Sequence, residues 1–349
     1  MLIRFRVNIL PALLLIGFAN FTTAQVRLLS PGSKGALAGL APNTSTIIPQ
    51  PLAPIPASGS GYSQTFTFKF TDQNGWQNFN VLDVLINSTL NGSQACYFAL
   101  VPTGPSAGNL YLASDSGPGT LSQTNLPGSG SLSNSQCTLA ATGASVSANS
   151  TTLTLVLPIT FNSAFAGNMV FYLSAQDTSM NNSGWQPLAT WNVPGAASNG
   201  PGVTGMSPAR STGSAEQTYT FTLTDSNGWQ NLSVIDILIN SAVQGRNACY
   251  FALAVSVTSE GTLYLVSNGA AGDPTYAAVA GLPSAANIQN SQCTLSLEGA
   301  TVDGGGNTLT MTMPITFSNT FTGNKLFLVG AREANSTSGW QAIGSISLP

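Results

Sequence analysis

Displacing the chain by 153 residues lays "TDSNGWQNLSVIDILIN" (224–240) over "TDQNGWQNFNVLDVLIN" (71–87). From Thr65 to Leu100, 23 of 36 positions match their counterparts identically. After an insertion of three residues the match resumes with "NSQCTL" at Asn134 and Asn290, "LPITF" at Leu157 against "MPITF" at Met313, and "SGWQ" at Ser183 and Ser338. Any fold for this sequence must therefore be one that the chain can build twice. The copies set two domains, residues 55–195 and 203–349, joined by a Gly/Pro/Ser-rich linker at 196–202.

The same duplication fixes the cysteines. Four thiols allow three pairings, but each copy holds one early and one late cysteine. Cys96–Cys137 and Cys249–Cys293 are the bridges expected. A zinc site is excluded, because the chain has no histidine and two cysteines per domain cannot complete a tetrahedral set.

Alternation predicts strands. In "YSQTFTFKFTD", Tyr62, Phe66, Phe68 and Phe70 share a face opposite Ser, Thr and Lys; "QTYTFTLTD" repeats this with Tyr219, Phe221 and Leu223. No window carries a helical period. About seven short strands per copy, separated by Gly/Asn/Ser turns, predict an all-β chain of two tandem antiparallel β-sandwiches, one disulfide each.

Residues 1–24 read as a secretory signal: Arg4 and Arg6 precede the apolar run "VNILPALLLIGFA", with small residues Thr22 and Ala24 at the cleavage positions. That run is about 13 residues long, short of the ~20 a spanning helix needs, so no membrane span is expected in the mature chain. Residues 25–54 are Pro-rich, lack a counterpart in the repeat, and read as an extended leader. The chain is expected to be exported to an oxidising place. Only 6% of residues are charged, with nine Lys and Arg scattered along the chain and a net charge of −3. Such a surface offers no basic stripe for phosphates, which excludes nucleic acid as a partner. Strands so poor in charge also leave edges able to pair, so self-association is expected to be accessible.

The strand ending in T-D-x-N-G, the following V-x-D-x-L-I-N strand and the late segment "YLSAQDTSMNNSGWQPLATWNV" resemble bacterial immunoglobulin-like or fibronectin-III-like extracellular repeats. The full phrase, with "NSQCTL" and "SGWQ", is similar to an uncharacterised Ig-like domain of large exported proteins. The resemblance covers both copies and not residues 1–54. It implies Ig-like sandwiches, a secreted, periplasmic or cell-surface location in a bacterium, and no catalytic residues.

Two features of the copied phrase could carry a site. The first is a pair of Gly-Trp-Gln triplets per copy: Trp76–Gln77 and Trp185–Gln186, then Trp229–Gln230 and Trp340–Gln341. In Ig-like order the first lies in a loop between sheets and the second beside the last strand, at one end of the sandwich. Aromatic faces with amides suit sugar rings; indoles closing the end of a core account for the same residues, and that reading is adopted. The second is the set of loop carboxylates, Asp72 with Asp177 and Asp225 with Glu333, the latter pair facing the linker. In D-x-N-G the Asp caps the turn and the Gly takes a positive φ. The same oxygens are the ones that would serve Ca²⁺, although two or three per domain fall short of the six to eight it takes. No cofactor is expected. The second aspartates, Asp83 and Asp236, interrupt apolar strands and must be exposed or hydrogen-bonded, to an indole N–H or a loop amide.

Without histidine, Ser-His-Asp and Cys-His chemistry are excluded. A carboxylate pair for glycoside hydrolysis, Asp72 with Asp177, would have to work from loops of a small sandwich. The reading is a non-enzymatic structural, adhesive or spacer protein whose partner is a surface protein or polysaccharide. The alternative is a carbohydrate- or polymer-binding module built on the paired triplets.

Overall fold

The computed structural model of the chain describes residues 48–195, 199–256, 261–268 and 276–349. The signal segment, the leader up to residue 47 and linker residues 196–198 lie outside the described residues.

The first domain comprises β1 (Gln50–Pro51), β2 (Ser58–Ser60), β3 (Ser63–Thr71), β4 (Phe79–Asn87), β5 (Cys96–Gly104), β6 (Ala107–Ser114), β7 (Gly117–Leu126), β8 (Ser131–Ser133), β9 (Cys137–Ala140), β10 (Ser145–Asn149), β11 (Thr152–Phe161), β12 (Gly167–Asp177) and β13 (Gln186–Val193). They form a smaller sheet, β1-β3-β11-β9-β8 with β10 also on β11, and a larger one, β2-β13-β12-β4-β5-β6-β7. Pairing is antiparallel except for β2 on β13. The second domain repeats both strand orders position for position. Thirteen strands per domain exceed the seven or so read from alternation. The surplus comes from segments such as "SVSAN" and "GPGTLSQTNL", whose Ser, Gly and Thr show no apolar period. The first domain also begins earlier than residue 55: Gln50 and Pro51 pair with Thr71 and Phe70, inside the stretch read as leader.

The period-two faces meet between the sheets. Phe66, Phe68 and Phe70 of β3 pack there with Leu82, Val84 and Ile86 of β4 and Phe171 and Leu173 of β12. Each disulfide joins the two sheets across this core. Cys96 opens β5 in the larger sheet and Cys137 opens β9 in the smaller, with Cα atoms 5.5 Å apart; Cys249–Cys293 repeats the geometry. Closing a loop of 41 residues removes about 4 kcal/mol of unfolded-chain entropy on the loop-closure model. Bridges of this kind belong to extracellular or other oxidising compartments. No helix among the described residues is long and apolar enough to cross a membrane.

The central strands of the larger sheets are buried on both faces, whereas β7 at the edge is largely exposed. β4 is buried at Val81, Leu82, Asp83, Val84, Leu85 and Ile86 in succession, the near-continuous apolar run that double-sided burial requires. The outward set does not meet solvent. A single apolar cluster takes Leu85, Tyr97, Val170 and Tyr172 from the first domain and Leu238, Tyr250, Leu326, Leu328 and Ala342 from the second. Each such Leu or Val contributes about 2 kcal/mol relative to exposure. The polar contacts across this face are reciprocal. The Asn168 amide donates to Gln341 Oε1 at 3.2 Å, and the Asn324 amide donates to Gln186 Oε1 at 2.8 Å. Asn168 and Asn324 are equivalent positions of the two copies, as are Gln186 and Gln341. The domains thus pack as an isologous pair, with residue i on j and j on i.

Candidate functional site

The copied phrase builds a tight turn first. Asp72 Oδ1 accepts from the Asn74 N–H at 2.8 Å and its carbonyl from the Gly75 N–H at 3.0 Å. Gly75 sits at φ +101° and Gly228, its counterpart, at +105°, values that L side chains rarely adopt. Asp225 repeats the turn through the Asn227 and Gly228 N–H groups. Directly after it, Trp76–Asn78 and Trp229–Asn231 each form one 3₁₀ turn leading into the larger sheet.

The four tryptophans of the triplets occupy two layers. Trp76 and Trp229 pack against the core between the sheets. Trp185 and Trp340 lie on the outer face of the larger sheet, edge-on to Tyr97 and Tyr250 at 5.6 and 5.9 Å. The structure therefore does not gather each pair of indoles into one platform, because the larger sheet lies between them. Trp229 is buried while Trp76 is only half-buried. The two copies differ by one methyl group at the position beneath the ring. The Trp229 indole lies over Gly304, where an added Cβ would meet ring atoms at 2.2–2.6 Å; the first copy has Ala148 there. Gln77 and Gln230 are exposed, whereas Gln186 and Gln341 make the reciprocal interdomain bonds.

The loop carboxylates do converge. In the first domain the Asn78 amide donates to Asp72 Oδ2 at 2.8 Å and reaches Asp177 Oδ2 at 3.4 Å. Asp177 also accepts from the Ser179 and Asn181 N–H groups and the Asn181 amide, at 2.8–2.9 Å. Asn78 is held in place by the Thr178 hydroxyl, which donates to its Oδ1 at 2.7 Å. Both carboxylates are buried and fully supplied with donors. In the second domain the equivalent Asn231 turns its amide to the carbonyls of Asn227 and Gly228 instead. Asp225 is buried with Oδ2 lacking any donor. Among the described residues no group of three or more His, Cys, Asp or Glu comes together.

Asp83 and Asp236 face outward in the larger sheets, beneath the interdomain cluster. Neither an indole nor a loop amide serves them. Asp236 accepts from the Tyr250 hydroxyl at 3.0 Å and forms an ion pair with Arg332. Burial pushes its carboxyl above the ordinary value, and Arg332 and Tyr250 pull it only part of the way back. In the first copy Gln176 stands where Arg332 does. The Gln176 side chain accepts from Asn80 instead. Burial pushes the Asp83 carboxyl up to about 7, with the nearby Tyr97 hydroxyl drawing it the other way. That hydroxyl lies close enough to bias the carboxyl but makes no well-formed hydrogen bond, and Asp83 Oδ1 is left unpaired.

Three further residues have roles that the sequence reading missed. Asn134 uses all of its capacity: its amide donates to the Ala95 and Ala113 carbonyls at 2.9 and 3.0 Å, and Oδ1 accepts from Gln136 and Cys137. Asn290 repeats all four bonds. The repeated Asn of "NSQC" thereby fixes each late cysteine to the opposite sheet, and its recurrence beside cysteine was the available signal. For Arg332 the signal was its rarity, one of nine basic residues in the chain, placed opposite an aspartate strand.

No protein-family model matches the chain, and no curated protein is similar to it.

Proposed function

We propose that this is an exported, non-enzymatic bacterial protein whose two immunoglobulin-like sandwiches form a structural or adhesive element at or outside the cell surface. The observation that carries this reading is where the copied residues go. The second triplet of each copy packs its indole on a tyrosine of its own sheet and sends its glutamine to the other domain. The copied cysteines bridge the sheets, the copied asparagines anchor those bridges, and the copied aspartates close turns. Repeated chemistry spent on shape supports a scaffold. The disulfides support an oxidising location, and the sequence resemblance supports the bacterial surface.

One observation favours the alternative of a glycan-binding module: Trp76 is not sealed as Trp229 is. The test is to compare Trp76→Ala and Trp185→Ala by thermal unfolding and by tryptophan fluorescence with soluble glycans and envelope polysaccharides. The scaffold reading expects a lowered melting temperature for Trp185→Ala and no saturable glycan response in the unsubstituted protein. A saturable response, lost in Trp76→Ala at unchanged melting temperature, would establish the binding module instead.

A further inference from the structure

The two carboxylate pairs are built from the same copied phrase but are neutralised differently, and the difference points to a ligand. In the first domain, amide and backbone N–H groups supply Asp72 and Asp177 with donors. In the second domain three changes remove that supply. Ala334 replaces Thr178, the loop before the last strand is one residue shorter, and Asn231 turns away to Asn227 and Gly228. What remains is Asp225, fully buried, with Oδ1 taken by the Asn227 N–H at 2.8 Å and Oδ2 without a donor. Against it stands the half-buried Glu333 carboxyl, within hydrogen-bonding reach of Asp225. Glu333 is held there by its own N–H, which donates to the Ser336 carbonyl at 3.0 Å. On the far side the buried backbone of Gly200 closes in: a Cβ at that position would lie 3.7 Å from Glu333 Oε1 and 3.1 Å from Ser336 Oγ.

Two neighbouring carboxyl groups, one of them with a buried oxygen that no donor reaches, call for positive charge beside them. We propose that the second domain, and not the first, binds one Ca²⁺ between Asp225 and Glu333, at the point where the linker enters that domain. The donors are oxygen throughout, which selects a hard cation over zinc or copper. Irregular loops favour the flexible coordination of Ca²⁺ over the strict octahedron of Mg²⁺. Asp225 and Glu333 supply the charge, while loop carbonyls and water complete the shell. With two carboxylates the affinity belongs in the extracellular range of about 10⁻⁴–10⁻³ M.

Calorimetric titration of the purified protein with CaCl₂ near neutral pH tests this, using Glu333→Gln, Asp225→Asn and Asp72→Asn as variants. All three leave the turns intact, since an asparagine oxygen still accepts the N–H two residues on, and circular dichroism checks each fold. The expected result is one saturable site per chain, weakened at least about tenfold in Glu333→Gln and Asp225→Asn and unchanged in Asp72→Asn. Absence of saturable heat up to about 10 mM, well above the range for such sites, would overturn the proposal and leave a shared proton as the neutralising charge. So would undiminished binding in Glu333→Gln, or binding lost only in Asp72→Asn.

Discussion

The two domains carry the same aspartate at the same register of the same strand, Asp83 opposite Ala99 and Asp236 opposite Ala252. Among the described residues, one is buried beside a tyrosine without an ion-pair partner; the other is held by a tyrosine and an arginine. A single position of the neighbouring strand, Gln176 or Arg332, makes the difference. The frame of a duplicated fold is thus retained while its buried charges are compensated one at a time. A buried carboxylate without a partner cation stays tolerable by taking a proton, which makes Asp83 responsive to pH, while the Arg332 charge offsets part of the same burial at Asp236.

The largest expected effect follows from that contrast. Asp83 in the folded protein titrates near 7, against an ordinary value of 3.8. The folded state therefore holds this proton more tightly than the unfolded chain does. Its contribution is fully present below about pH 4 and is lost as pH rises through 7, a swing of about 4 kcal/mol. Urea unfolding of the first domain at pH 5 and pH 8 should show about 3 kcal/mol of it, and Asp83→Asn should flatten it. Next comes the converse change. Arg332→Gln makes the second domain resemble the first and strands Asp236. A loss of about 3 kcal/mol at pH 8, largely recovered at pH 5, is expected from removing one partner of a buried pair, measured by the same unfolding curves. Gly304→Ala should cost about 2 kcal/mol through overpacking and shift Trp229 emission to longer wavelength, as its indole is pushed toward the half-exposed state of Trp76. Gln176→Arg should stabilise the first domain by about 1–2 kcal/mol at pH 8 and reduce its pH response; no change would mean that the guanidinium cannot reach Asp83 from that position. The smallest effect belongs to Asn168→Ala, about 1 kcal/mol for one half-buried amide bond, seen as a lowered melting temperature.

Much of the frame was legible before any coordinates. The period of two in "TFTFKF" and "TYTFTL" marks strands facing a core, and the duplication alone selects the disulfide pairing. Strands made of Ser, Gly and Thr were not legible, because they pair through backbone groups that every sequence has. The two-sided burial of β4 was present in "NVLDVLIN", where Val81 and Leu85 are as apolar as Leu82 and Val84; reading its period alone obscured it. At the candidate site the carboxylates could be named from the D-x-N-G turns. Their partners could not: Asn78 and Thr178 lie 100 residues apart, and the same asparagine of the copied phrase serves Asp72 in one copy and backbone carbonyls in the other.

The reciprocal bonds of Asn168 to Gln341 and Asn324 to Gln186 have an architectural result. A self-complementary face is used up when two copies meet on it, since each presents to the other the same surface that a third copy would need. The module pair is therefore a terminated unit, unlike a bead on a string that could be lengthened by adding more of the same contact. Growth into a fibre or array would have to proceed through a different surface, and free strand edges are what the described fold still offers.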